Sequence, residues 1–146
     1  DSKAVLSSGG QAVVMSRDHT AGCKEEKLRI EQKGGKVVFV RTWRVEATLA
    51  VTRAIGNRSL KDFVTAEPDI TTKPLEKGDD FLVLGTDGLW DYVQPQEATS
   101  LVSNYLNSTP IRMQAAAKAL TDLAFDRGSL DNITALVIDL RPYISG

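Results

Sequence analysis

Apolar residues recur along this chain in two rhythms, and each rhythm predicts a different element. Ala98, Leu101, Val102, Tyr105 and Leu106 fall at i, i+3, i+4, i+7 and i+8, one stripe of an amphipathic helix. Met113, Ala116, Ala117, Leu120, Leu123 and Ala124 make a second stripe. Thr109-Pro110 reads as its N-cap with proline at the first helical position, and Gly128 as its stop. Shorter β-branched runs predict strands. Residues 3–6 and 12–15 flank a glycine-containing loop at 7–11, the pattern of a hairpin. Residues 36–40 read as a strand, 81–84 as a buried strand, and 133–140 as a central one. Residues 69–73, between Pro68 and Pro74, predict an edge strand that turns at Lys77-Gly78-Asp79 to pair antiparallel with the strand at 81–84. Residues 23–33 predict a short surface helix with a thin apolar face of Leu28 and Ile30, stopped by Gly34-Gly35. Residues 49–51 are a weak strand candidate. Strands, one helix, strands, two helices and a strand suit an antiparallel-rich α+β fold better than βαβ alternation.

The order of elements gives no function; two acidic loops suggest one. The run 82–91, Leu-Val-Leu-Gly-Thr-Asp-Gly-Leu-Trp-Asp, ends a buried strand in a carboxylate and offers a second one four residues later. Asp-Gly is by itself a common turn dipeptide. Here a positive φ at Gly88 would aim Asp87 and Asp91 into one space. Asp131 lies at the start of the last strand as Asp87 lies at the end of an earlier one. If those strands are antiparallel neighbours, the two carboxylates reach one edge of one sheet and share an ion. Asn132 is expected to hold its loop through side-chain to backbone bonds. A carboxylate-only set favours Mg²⁺ or Mn²⁺ over Zn²⁺. Two such ions would clamp a phosphate and acidify a bridging water. Neither G-x-S-x-G nor a Walker loop occurs, which argues against α/β-hydrolase acyl transfer and P-loop nucleotide binding. The lone His19 reads as a loop histidine bonded to nearby backbone.

Composition narrows the partners. The formal charge is −1, with no basic stripe, so neither nucleic acid nor an anionic membrane is expected as the main partner. No apolar stretch is long enough to span a bilayer. The single Cys23 excludes an internal disulfide and points to a reducing, cytoplasmic or nuclear setting. The 146 residues fit one domain.

The spelling of five segments is more specific. Residues 1–6 (Asp-Ser-Lys-Ala-Val-Leu) resemble G-D-S-R-x-V-L, and Ser16-Arg17-Asp18-His19 resembles S-x-D-H. Arg44-Val45 with residues 49–56 is similar to R-V…L-A-V-S-R-A-x-G-D. Residues 81–91 are similar to the latter part of D-E-F-L-I-L-A-S-D-G-L-W-D, and 128–134 to G-S-x-D-N-I-T. In this order the motifs resemble those of the metal-dependent serine/threonine phosphatases of type 2C. The resemblance implies part of an α-β-β-α sandwich, two antiparallel β-sheets flanked by helices, with 1–146 as the C-terminal portion of the catalytic domain. It implies that Asp87 and Asp131 ligate a binuclear Mg²⁺ or Mn²⁺ pair. Asp1 and Asp91, with Asp87, match the ligands of a weaker site for a third ion. Residues 20–48 correspond to a variable flap beside the cleft, in which Trp43 reads as a recognition residue or as simple packing.

The family's R-x-x-x-E-D and D-G-H-G-G motifs are absent from these residues, and His19 does not replace the histidine they supply. Lys3, Glu46-Ala47, Thr52 and Asn57 stand where the family usually has arginine, glycine, serine and aspartate. The expected function is hydrolysis of phosphoserine and phosphothreonine in a phosphoprotein substrate by the intact parent domain, the fragment alone being inactive. The alternative is a pseudophosphatase scaffold that regulates a kinase partner. Strand edges left open in half a sandwich predict self-association of the chain.

Overall fold

A computed structural model describes residues 1–108 and 113–144; the expected cap at Thr109-Pro110 lies outside the described residues. The chain divides into two compact units, one of Asp1 and Asp18–Thr71, the other of Ser2–Arg17 and Thr72–Gly146.

The second unit is a four-stranded antiparallel sheet with two helices against it. Strands β1 (Lys3–Ser8), β2 (Gln11–Val14), β5 (Asp79–Gly85) and β6 (Ala135–Asp139) pair in the order β2-β1-β5-β6. The expected hairpin forms with a tighter turn than its loop suggested. Pairing runs to Ser8 opposite Gln11, and Gly9 and Gly10 take φ of 56° and 77°, a left-handed pair that matches strand twist. β5 buries alternate residues (Asp79, Phe81, Val83 and Gly85), so only one face of the expected buried strand is in the core.

Two expectations for this sheet fail. Residues 69–73 form no strand; β5 has both edges taken, by β1 and β6, so that segment has no ladder to join. β6 was expected to be central but is the last strand of this sheet, its Leu136 half exposed.

Helices α3 (Pro95–Ser108) and α4 (Met113–Asp126) bring the predicted stripes inward: Ala98, Val102 and Leu106 from one, Ala116, Leu120 and Ala124 from the other, packed with Val5, Phe81, Val83 and Val137. Tyr105 stays partly exposed at the stripe's margin. The Gln96 side chain accepts from the Ala12 amide and donates to the Gly10 carbonyl, seating α3 on the hairpin.

The first unit holds α1 (Lys24–Gln32), the two-stranded antiparallel β3 (Val37–Val40) and β4 (Thr42–Val45), and a core of Ala21, Ile30, Val37, Val45 and Val64. Gly34 ends α1 at φ 82° in a Schellman motif, Gly34 N–H to Glu31 O and Gly35 N–H to Ile30 O. The inward face of α1 is not Leu28 and Ile30. Ile30 is buried, Leu28 is exposed, and the second inward residue is Glu26, one turn before Ile30. Arg29 and Arg53 pair with Glu26 at 2.9 and 2.7 Å and the Thr52 hydroxyl donates to it at 2.7 Å. Residues 49–51 make only isolated bridges. No described helix is long and apolar enough to cross a membrane.

Candidate metal centre

The chain leaves β5 through Thr86, extended at φ −81° and ψ 170°, and winds at once into the single turn α2 (Asp87–Trp90). The Asp91 amide bonds the Asp87 carbonyl at 2.9 Å, so Asp87 and Asp91 stand one helical turn apart. Trp90 anchors the turn: its buried indole N–H is shared between the carbonyls of Lys3 (3.1 Å) and Gly85 (3.0 Å). The positive φ expected at Gly88 is absent, because this residue is helical. Glycine is needed there for close approach instead: a Cβ would come within 2.5 Å of the Asn132 carbonyl oxygen and 3.4 Å of Asp131 Cβ.

The second acidic loop begins where α4 stops. Gly128, at φ 93°, closes a Schellman motif, Gly128 N–H to Phe125 O and Ser129 N–H to Ala124 O, and turns the chain toward β6. β5 and β6 are antiparallel neighbours, with Gly85 opposite Ala135, so the end of one strand and the start of the other share an edge. Three hydroxyl-mediated bonds lace the two loops together. Thr86 Oγ1 donates to the Asn132 carbonyl at 3.0 Å and accepts the Thr134 amide at 3.1 Å, and the buried Ser129 hydroxyl donates to the Gly88 carbonyl at 2.8 Å. Asn132 holds its loop through its backbone, not through the side-chain bonds expected.

Asp87 Oδ1 accepts the next amide, from Gly88, at 2.9 Å, and Asp131 Oδ1 the Asn132 amide at 2.7 Å. These turn bonds fix each carboxyl and leave its second oxygen without a partner among the described residues. Asp87, Asp91 and Asp131 have no basic partner among the described residues, whereas Glu26, Asp69, Asp79, Glu97 and Asp139 are all ion-paired. Gly88, Asp91, Tyr92, Leu130 and Asp131 line an open depression of about 420 Å³. Asp1 is exposed and belongs to the other unit. Among the described residues no three His, Cys, Asp or Glu side chains come together as a ready-made metal site, so the four expected ligands are not gathered as a set. The donor chemistry nonetheless fits a hard cation: carboxylate oxygens, no lysine or arginine paired with them among the described residues, and a glycine that lets the two loops touch.

His19 is not the backbone-bonded loop histidine expected. Its Nε2 lies 2.8 Å from Asp69 Oδ2, and Arg53 holds the other Asp69 oxygen at 2.6 Å. The hydrogen bond from Arg53, and then that from His19, hold the Asp69 carboxyl below the usual carboxylate range. This chain, Arg29–Glu26–Arg53–Asp69–His19, escaped the sequence reading because no short motif joins its members. The hydroxyl braces had a signal in the sequence, a threonine immediately before Asp87 and a serine two residues before Asp131.

The sequence model of the protein phosphatase 2C family matches residues 1–133. The chain belongs to that family. It is 46% identical over 141 residues to a probable protein phosphatase 2C 52 of Oryza sativa subsp. japonica, covering 97% of this chain and 28% of that protein. To a probable protein phosphatase 2C 76 of Arabidopsis thaliana it is 44% identical over 141 residues, covering 97% and 32%. The chain thus spans about a third of the length of these relatives. In three dimensions it resembles a C. elegans sex-determining protein, with a TM-score of 0.89, 26% identity, and 97% of this chain and 35% of that one covered. A serine-threonine phosphatase 2C from Toxoplasma gondii, at 23% identity, shares the fold with a TM-score of 0.83, with 95% and 52% covered. Antiparallel sheets with flanking helices in an α+β chain are thus the protein phosphatase 2C fold.

Proposed function

We propose that this chain supplies part of the metal site of a hydrolase acting on phosphoserine and phosphothreonine in proteins, with Asp87 and Asp131 as shared ligands of Mg²⁺ or Mn²⁺. Asp91, with Asp87, belongs in this reading to a weaker, third-ion site. The observation that carries it is the edge shared by β5 and β6, with two unpaired carboxylates on loops tied together by Thr86 and Ser129. Bound ions would supply charge neutralisation for a phosphoryl group and an acidified water. The residues present do the rest. Asp87 and Asp131 each offer an oxygen with no partner among the described residues, and the turn bonds to Gly88 and Asn132 orient them. Trp90 and Gly88 set where α2 sits against the Asp131 loop.

The phosphate-binding arginine and D-G-H-G-G motifs of the family are not among these residues, so the chain by itself is proposed to be inactive. Phosphate release from a phosphothreonine peptide in Mn²⁺ tests both statements. The 146-residue chain releases none, and a fusion behind the N-terminal half of a relative restores turnover. In that fusion Asp87→Ala and Asp131→Ala each remove most activity, and Asp91→Ala removes less. Equal losses at all three would refute this ranking of the sites.

The second reading, a scaffold that regulates a kinase, is favoured by Asn57 in place of the family's aspartate. A fusion that binds Mn²⁺ yet stays inactive, while Asn57→Asp restores turnover, would establish it. The free thiol of Cys23, hydrogen-bonded to the Asp18 carbonyl, supports a cytoplasmic or nuclear setting.

A further inference from the structure

We infer that Thr86 and Ser129 are positioning residues for the metal carboxylates, their hydroxyls fixing the distance between the Asp87 loop and the Asp131 loop. The inference rests on the metal-site reading above and adds the residues that hold the ligands in place.

Among the described residues the Asp87 and Asp131 carboxyls make no hydrogen bond to each other's loop; each accepts the amide that follows it. Besides the backbone bond from the Thr86 amide to the Thr134 carbonyl at 3.2 Å, the loops are joined by side-chain hydroxyls. Thr86 uses its hydroxyl in both directions, donating to Asn132 and accepting from Thr134, which pins residues on both sides of Ile133. Asn132 directly follows Asp131, so this bond sets the carboxylate one residue away. Ser129 works from the other side. Its buried hydroxyl grips the Gly88 carbonyl, one residue past Asp87. Each acidic residue is therefore next in sequence to a carbonyl held from the opposite loop. Two carboxylates brought together without a cation repel each other. The hydroxyls bond carbonyls and an amide rather than the carboxylates, so they resist that repulsion without occupying ligand oxygens. Ligand support of this kind is worth roughly ten- to a hundredfold in metal affinity.

The test is Mn²⁺ binding to the 146-residue chain, followed by the electron paramagnetic resonance of free Mn²⁺, alongside urea unfolding without metal. Thr86→Val keeps the shape and loses both bonds, and is expected to weaken Mn²⁺ binding about tenfold or more. Thr86→Ser keeps the hydroxyl and should bind within about twofold of wild type. Ser129→Ala should weaken binding in the same direction. Leu120→Val serves as a destabilised control, lowering the unfolding midpoint with Mn²⁺ affinity unchanged. If Thr86→Val is poorly folded, the comparison of Ser129→Ala with the Leu120→Val control decides. Asp87→Asn and Asp131→Asn test the underlying reading separately. If these abolish binding while Thr86→Val and Ser129→Ala leave it intact, the positioning role is overturned and the metal site stands. If wild type shows no saturable Mn²⁺ binding either alone or in the fusion with a relative's N-terminal half, or the asparagine variants bind as wild type does, the metal site itself fails and the positioning role with it.

Discussion

Glu46 and Ala47 carry backbone strain that their side chains make visible. Both lie in the left-handed region, at φ 49° and 56°, in a turn where the Val45 amide bonds Leu49 O and the Glu46 amide bonds Lys36 O. Related phosphatases often place glycine at this point, and the conformation explains that preference. A non-glycine residue here costs roughly 1–2 kcal/mol. Ala47→Gly is accordingly expected to raise stability by about 1 kcal/mol, read as a higher urea midpoint, net of the extra freedom glycine gains when unfolded. An unchanged midpoint would mean that the turn has relaxed its strain elsewhere. Gly88 presents the opposite problem. Its backbone angles suit any residue, but no space exists for a methyl group beside the Asn132 carbonyl. Gly88→Ala should cost about 1–3 kcal/mol by overpacking, measured by thermal unfolding. It should also push the two acidic loops apart, weakening Mn²⁺ binding.

At the scale of elements, α1 is held by charge as much as by apolar contact. Burial acts to raise the Glu26 pKa, but hydrogen bonds from Arg53, Arg29 and Thr52 and the Arg29 charge outweigh it and bring it down from 4.5 to about 2. A carboxyl whose folded pKa is depressed stabilises fully above its unfolded value and loses that contribution as pH falls toward the folded one. The window is therefore pH 4.5 down to about 2. Through it the first unit should lose on the order of 3 kcal/mol. Glu26→Gln should start about 3–5 kcal/mol lower at neutral pH, since two guanidinium groups lose their buried partner. It should also show a shallower acid dependence over the same window. Urea titrations at pH 7 and pH 3 of both proteins measure the two effects.

The α1 case also marks what sequence could reveal. A helix was legible at 23–33 because glutamates lead it and glycines end it. Its inward face was not, because Glu26 reads as polar until Arg53, 27 residues later, is known to reach it. The stripes of α3 and α4 were legible almost residue by residue, since apolar periodicity reports burial directly. Residues 69–73 misled for the reverse reason. Flanking prolines and β-prone side chains look like an edge strand, but pairing depends on a free neighbour, and β5 had none. The acidic loops stood out through Asp-Gly and Asp-Asn, and the adjacency of their strands, which the sequence offered only as a condition, is met by the antiparallel pairing of β5 and β6. The hydroxyl ties between them left only a faint signal, Thr86 and Ser129, because threonine and serine are commonplace in turns.

Taken as a whole, the chain presents open edges. β6 has a neighbour on one side only, Leu136 is half exposed, and Leu130 and Phe125 on the same unit are 98% and 69% exposed. Such edges pair readily with another chain. The isolated 146-residue chain is expected to self-associate with rising concentration in light scattering. A Leu136→Lys change on the β6 edge should reduce that association while leaving the unfolding midpoint nearly unchanged. A sharp monomer at all concentrations would refute the expectation.

The second unit is assembled from the first residues of the chain and from its last half, with the first unit spliced between Arg17 and Thr72. Lys3 must meet Gly85 to build the ladder that ends at the acidic loops. During synthesis on a ribosome, β1 and β2 emerge before their partner β5, and α1 and its surroundings follow them before β5 exists. Contacts so distant in sequence form slowly. The four-stranded sheet can thus close only after the whole stretch between Arg17 and Thr72 has been made. A mutation that delays it exposes the nascent hairpin to chaperones and proteases for longer, even if the finished fold is untouched.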